Sequence, residues 1–154
     1  MLKQWLLATG LVATFALSGC QTTKSDLSSS VTTANVAQLE NRTWIATQIG
    51  NTPISTASTA HNIPSLQFDS ATKRVSGADG CNRLMGSYEV KADKLNLSQM
   101  AGTRMACLDN AGLDASFNTA LTQVTHYQVF NKTLKLLDRH GNLLIQLESA
   151  VQSR

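Results

Sequence analysis

Short segments with the residue pattern of β-strands make up most of the chain beyond residue 39. The clearest is Ser65-Leu66-Gln67-Phe68-Asp69, in which Leu66 and Phe68 share one face of an extended strand. Four further segments share this strand character: 44–49, 94–97, 133–136 and 143–147. Turn-forming residues separate the segments. Short strands at this spacing predict an antiparallel sheet curled into a small barrel or sandwich.

One segment has helical periodicity instead. Its apolar residues recur at the spacing of one face of an amphipathic helix: Leu113, Phe117, Ala120, Leu121 and Val124. Asp109 or Asn110 can cap the first turn by accepting a backbone N–H bond. Because the segment contains several poor helix formers, packing on the sheet must stabilise it. The sequence therefore predicts a mainly β, α+β domain at residues 39–149, a barrel-like antiparallel sheet with one packed helix.

The first residues have the layout of a secretory signal. Lys3 precedes an uncharged apolar run from Trp5 to Leu17, which is shorter than the ~20 residues needed to span a bilayer. The run ends in Leu17-Ser18-Gly19-Cys20, which resembles the bacterial lipobox. This resemblance implies cleavage before Cys20 and attachment of lipid to its thiol, so residues 1–19 are predicted to be a lipoprotein signal peptide. An ordinary signal peptide with a chance cysteine is the alternative.

Residues 20–38 are predicted to form a flexible tether rich in Ser and Thr. This segment has too little apolar surface to offset the entropy lost on ordering. In Gram-negative lipoproteins an Asp after the lipidated cysteine often signals retention at the inner membrane, and here that position is Gln21. The resemblance therefore implies an outer-membrane protein that faces the periplasm and contacts the membrane through the lipid on Cys20.

Charge and histidine spacing limit the classes of partner. The formal net charge is +3 over 154 residues, and Lys73-Arg74 is the only adjacent basic pair, which argues against nucleic-acid binding. His61, His126 and His140 are dispersed, with no CxxC or HxxxH spacing. Neither a metal nor another cofactor is predicted, and we expect a monomer.

Two motifs occur in the middle of the chain: Gly80-Cys81-Asn82-Arg83-Leu84-Met85-Gly86-Ser87-Tyr88 and Thr103-Arg104-Met105-Ala106-Cys107. Together with Leu39 and Trp44 they resemble the META domain family, which includes the heat-shock lipoprotein HslJ. The resemblance extends over about Leu39 to Glu148 and implies a small barrel-like antiparallel sheet with one helix. It implies no enzyme, since no activity is established for the family, which is associated with heat response and novobiocin tolerance.

Most motif residues have a structural interpretation. Gly80 and Gly86 permit positive φ or close backbone approach. Tyr88 and Met105 are expected to supply apolar bulk to the core.

Two polar residues of the first motif leave an alternative open. Asn82 can bond to nearby backbone or adopt left-handed geometry at a turn. The functional alternative is that Asn82 and Arg83 form a ligand-facing rim.

The cysteines admit three interpretations. With Cys20 carrying lipid, Cys81 and Cys107 form an even pair, and an oxidising compartment favours a disulfide between them. Such a bond would stabilise the domain by about 3 kcal/mol in the chain-entropy treatment. The alternatives are two buried free thiols, or a thiol nucleophile activated by a histidine. No local signature supports the nucleophile, so no catalytic residue is predicted.

Together these observations favour a non-enzymatic bacterial envelope lipoprotein that binds or supports another envelope protein under stress. The alternative is a lipoprotein inhibitor of a periplasmic hydrolase such as lysozyme or a protease, because small disulfide-braced β domains often block such enzymes. A thiol or metal enzyme is a third hypothesis.

Overall fold

The computed structural model describes residues 35–55, 62–107 and 110–150. These ranges contain nine strands: β1 (Thr43–Ile49), β2 (Thr52–Pro53), β3 (Ser65–Asp69), β4 (Arg74–Ala78), β5 (Arg83–Lys91), β6 (Lys94–Gly102), β7 (His126–Phe130), β8 (Thr133–Leu137) and β9 (Leu143–Ser149). A ten-residue helix, the main helix, spans Leu113–Thr122. No helix in this part of the chain is long and apolar enough to cross a membrane.

The nine strands form one antiparallel sheet in the order β2-β1-β3-β4-β5-β6-β7-β8-β9. β1 also pairs with β9, from Trp44 opposite Ser149 to Ile49 opposite Ile145, so the strand pairings form a ring. The main helix contacts β1 and β9. The predicted mainly β fold, with an antiparallel sheet and little helix, is confirmed.

The first described residues differ from the predicted tether boundary at residue 38. The chain is already helical over residues 35–39, and Leu39 is fully buried. Its carbonyl accepts a hydrogen bond from the indole Nε1 of Trp44 at 2.9 Å. The last residues assigned to the tether therefore belong to a helical turn that packs on the domain. Cys20, the predicted signal peptide and the tether up to residue 34 lie outside the described residues.

The core consists of alternate strand residues together with one face of the main helix. In β3 the burial alternates as predicted, with Leu66 and Phe68 inside. Other apolar side chains that are fully or almost fully buried are Trp44, Val75, Leu95, Phe117, Leu134, Leu136, Ile145 and Leu147. This interior is the apolar surface whose removal from water stabilises the domain.

The predicted helix is present, but its start differs from the prediction. Gly112 precedes it in a left-handed conformation with φ 75°, and no side chain among the described residues caps the first turn. Asn110 instead accepts the N–H of Gly112 at 3.2 Å, so the capping role predicted for it is wrong, and Asp109 lies outside the described residues. Phe117, Ala120 and Leu121 are buried as predicted.

Glu40, directly after the helical turn, anchors a polar cluster inside the sheet. Its Oε1 accepts the Tyr88 hydroxyl at 2.6 Å and the Lys73 Nζ at 2.6 Å. Burial first, and then the hydrogen bond to Glu40, raise the pKa of Tyr88 well above its usual value. Tyr127 differs, because its buried hydroxyl has no hydrogen-bond partner among the described residues. Burial, followed by the charges of Glu40 and Asp93, raises the pKa of Tyr127 to about 12.

Candidate functional site

A cavity of about 870 Å³ opens between β6 and the C-terminal half of the main helix. We call it the β6 groove. It is lined by Asp79, Asn82, Leu84, Asn96, Leu97, Met100, Ala101, Gly102, Thr103, Arg104, Met105, Asn118, Leu121, Thr122, Val124 and Thr125. Its volume lies within the range of about 300–1,000 Å³ that is usual for ligand sites. The groove is therefore the candidate site.

The groove exists because the ring of strands is nearly open between β6 and β7. These strands share one residue pair, Lys94 with His126, and the N–H of Leu95 donates to the carbonyl of Thr125 at 3.0 Å. Beyond Leu95 no described strand pairs with this edge of β6. Backbone groups of alternate residues point to the same strand edge, so those of Leu97 face the groove as those of Leu95 face β7.

The two sequence motifs meet at one rim of the groove. The Asn82 Oδ1 accepts the backbone N–H of Met105 at 2.7 Å and the hydroxyl of Thr103 at 3.2 Å. Cys81 and Cys107 are joined by a disulfide with their Cα atoms 5.9 Å apart, within the 4.4–6.8 Å that disulfides require. The geometric condition for the predicted bond is met, and its formation in the mature protein stays a prediction. Together these contacts hold residues 103–107 against the turn at 79–82.

Asp79 connects the same rim to the main helix. The residue is 1% exposed, and its Oδ1 accepts the N–H of Cys81 at 2.9 Å and that of Asn82 at 2.6 Å. Its Oδ2 accepts the side-chain amide of Asn118 at 2.7 Å. A buried carboxylate needs such donors to offset its desolvation. Asp79 therefore fixes the turn that carries Cys81 and Asn82 against the helix that forms the other wall of the groove.

The glycines of the first motif serve the two purposes expected of them. Gly80 has φ 102°, a left-handed conformation that side chains rarely adopt. Gly86 lies within β5, where an added Cβ would be 2.9 Å from the carbonyl oxygen of Ser98. The side chain of Met100 occupies the space next to Gly86, so this glycine lets part of the groove lining lie close to β5.

Other motif residues are placed differently from the sequence interpretation. Met105 is 57% exposed at the groove, so the prediction that it fills the core is wrong, whereas Tyr88 is buried. Asn82 is buried, and its side-chain oxygen Oδ1 accepts the hydrogen bond from Met105 within the rim. Arg83 is exposed and lines a separate depression with Met85. The two residues of the predicted ligand-facing rim therefore lie on different surfaces, since neighbours in an extended chain point to opposite sides.

The described histidines do not gather at the groove. His126 begins β7 and His140 is exposed in the β8–β9 turn, while His61 lies outside the described residues. Within the described ranges no three His, Cys, Asp or Glu side chains are grouped so that they could hold a metal ion. The groove instead combines a mixed polar and apolar lining, backbone groups of β6 that no described strand pairs, and the exposed cation of Arg104, which is the chemistry of a binding surface.

Comparison with known proteins agrees with the motifs. The model of the META domain family matches residues 37–151, which confirms the resemblance. The NMR structure of a protein from Burkholderia xenovorans is 26% identical, with a TM-score of 0.59 over 76% of this chain and 88% of that chain. A second NMR structure is 21% identical, with a TM-score of 0.60 over 74% and 93% of the two chains, a likeness of fold alone. No curated protein matches the chain.

Proposed function

This chain belongs to the META domain family, and on that premise we propose that it is a non-enzymatic, lipid-anchored envelope protein whose β6 groove binds another envelope component under stress. The META domain is not a known enzyme family. One observation carries the proposal. β6 and β7 share one residue pair, and a cavity of about 870 Å³ opens at this place, so that a strand edge without a described partner lies beside apolar side chains.

The stress role comes from the family resemblance, and the location comes from the lipobox at Cys20. Residues 21–34 would separate the lipid from the first described residue, a distance of roughly 20 Å for a flexible coil. With such a spacing the domain would lie next to the outer membrane, with room for a periplasmic partner to approach the groove.

Two threonines of the main helix provide a matched test of the groove. Thr122 is exposed and lines the groove, whereas Thr119 is exposed on the same helix and does not line it. A deletion strain should be complemented with the wild-type gene, Thr122→Trp or Thr119→Trp, and its survival of heat and novobiocin compared. We expect Thr122→Trp to behave like the deletion because the indole fills the groove, and Thr119→Trp to restore tolerance.

Equal amounts of folded protein, measured by immunoblot and melting temperature, make the comparison valid. Full tolerance with Thr122→Trp would show that the groove is not the functional site. Failure of both variants at normal protein levels would also remove the groove as the specific cause.

Lipid attachment is tested separately. Mass spectrometry of the mature protein should find an acylated N-terminus at Cys20, and Cys20→Ser should release an unprocessed or soluble form. An unmodified N-terminus that begins beyond Cys20 would contradict the anchor.

The hydrolase-inhibitor hypothesis leads to a different outcome in a pull-down from native envelope. A captured lysozyme or protease that wild-type protein inhibits, and Thr122→Trp does not, would replace the support role with inhibition. A stable assembly with a protein that is not a hydrolase would favour the support role.

A further inference from the structure

We infer that the β6 groove takes an extended polypeptide segment, which adds to the outer edge of β6 as a further strand. The inference rests on the proposed function, because it names the class of ligand for the same groove.

The backbone groups of Leu95 and Leu97 point to the same, outer edge of β6. The N–H of Leu95 already bonds outward, to the carbonyl of Thr125, at the point where β6 and β7 are paired. The N–H of Leu97, two residues later, points to the same edge, but β7 no longer pairs with β6 at this position. On the inner edge of β6, Asn96 and Ser98 pair with Glu89 and Ser87 of β5. An unpaired strand edge presents donors and acceptors at the spacing of another strand.

Apolar side chains lie beside that edge of β6. An added strand lies about 4.8 Å from its neighbour and directs alternate side chains to opposite faces. On one side of the added strand the groove is lined by Leu84, Leu121 and Val124, which are 6%, 5% and 7% exposed, and by the half-buried Met100. A segment with apolar residues at every second position would therefore satisfy both the backbone groups and the lining, which is the usual form of recognition by strand addition.

The bulge in β6 limits where pairing can occur. Gln99 has φ 52°, and the register between β5 and β6 shifts at this point. Bulges interrupt a ladder and bend the strand. We therefore centre the added strand on Leu97, between the end of the β7 pairing and the bulge.

The test uses a random-peptide display library selected on the intact mature protein. Selected peptides should lose at least tenfold in affinity for Thr122→Trp and remain within about twofold for Thr119→Trp. Each peptide is then synthesised with backbone N-methyl groups on one or the other alternate set of residues. Methylation of the set that faces β6 should weaken binding at least tenfold, and methylation of the other set should be tolerated.

Amide hydrogen exchange supplies an independent readout. The Leu97 amide should exchange rapidly in the free protein and at least tenfold more slowly in the complex. The Asn96 amide is the internal control, because it already faces β5 and should not change.

Different outcomes would overturn strand addition, the peptide class of ligand, or binding by a partner other than a second copy of the chain. Peptides that depend on Thr122 but tolerate both N-methyl sets, with Leu97 still unprotected, would overturn strand addition and leave the groove as a binding site. A selection that yields no groove-dependent peptide would overturn the peptide class, while the complementation experiment still decides whether the groove functions. A concentration-dependent dimer that Thr122→Trp dissociates would make a second copy of the chain the occupant, contrary to the inference.

Discussion

Replacing Asp79 by alanine should destabilise the domain more than the removal of any exposed carboxylate. The change deprives three donors of their acceptor: the N–H groups of Cys81 and Asn82 and the side-chain amide of Asn118. A buried donor left without a partner costs about 1–3 kcal/mol. Because the adjoining groove admits water to part of this site, we place the total near 3 kcal/mol, which corresponds to a fall of roughly 10 °C in Tm.

The assay is urea and thermal unfolding of the mature domain under oxidising conditions, so that the disulfide is the same in every variant. Asp79→Asn retains an oxygen for the two turn amides and should lose only about 1 kcal/mol. Asp93→Ala is the control, since Asp93 is exposed in the β5–β6 turn and should change stability by less than about 0.5 kcal/mol. A loss below about 1 kcal/mol for Asp79→Ala, or an equal loss for Asp79→Asn, would refute the bonding described for this carboxylate.

Three further predictions concern the rest of the domain. Cys81→Ala should lower the unfolding free energy by about 2–4 kcal/mol, as expected for a bridge with a sequence separation of 26, and unchanged melting on reduction would argue against the bond. Tyr127→Phe should leave the unfolding free energy at neutral pH unchanged and reduce the loss of stability between pH 10 and 12, because a tyrosine whose pKa is raised in the folded state destabilises the fold as pH rises through that window. Tyr88→Phe should instead cost about 1.5–3 kcal/mol, since its hydroxyl bonds to Glu40. Denaturation at several pH values distinguishes the two variants. Hydrogen bonds from the Asn142 side chain and then from its backbone N–H lower the pKa of Asp138 from 3.8, so Asn142→Ala should raise that pKa in an NMR titration. The stability that Asp138 contributes above pH 3.8 should be lost as pH falls through its lowered pKa. An unchanged pKa would contradict the assignment.

Local pattern was sufficient for strands whose two faces differ clearly. β3 was predicted with its observed bounds because Leu66 and Phe68 alternate with polar residues. β4 contains one large apolar residue, Val75, followed by Ser, Gly and Ala, so its sequence resembles a loop. In β7 the exposed Phe130 obscures the alternation of Tyr127 and Val129. Those strands are fixed by their neighbours rather than by their own periodicity.

The candidate site was less accessible to sequence reasoning than the fold. The motifs identified Cys81, Asn82 and Cys107, which do meet at one rim. Nothing near Asp79 in the sequence indicates that Asn118, 39 residues later, bonds to it. The groove itself depends on where β7 leaves β6, a property of tertiary packing that no local window of residues contains.

Because β1 pairs with β9, the order in which the strands are synthesised constrains how the domain folds. Trp44 pairs with Ser149, on the order of 100 residues later in the chain. In a chain that is synthesised from its N-terminus, the edge of β1 that pairs with β9 therefore stays unpaired until β9 has been made. Such distant contacts carry a large loop-closure entropy and slow folding. During this interval β1 exposes an unpaired strand edge that can pair with another chain. Completion of folding is thus coupled to delivery of the C-terminal strand, and truncation within β9 should leave a chain that cannot close and is prone to aggregate.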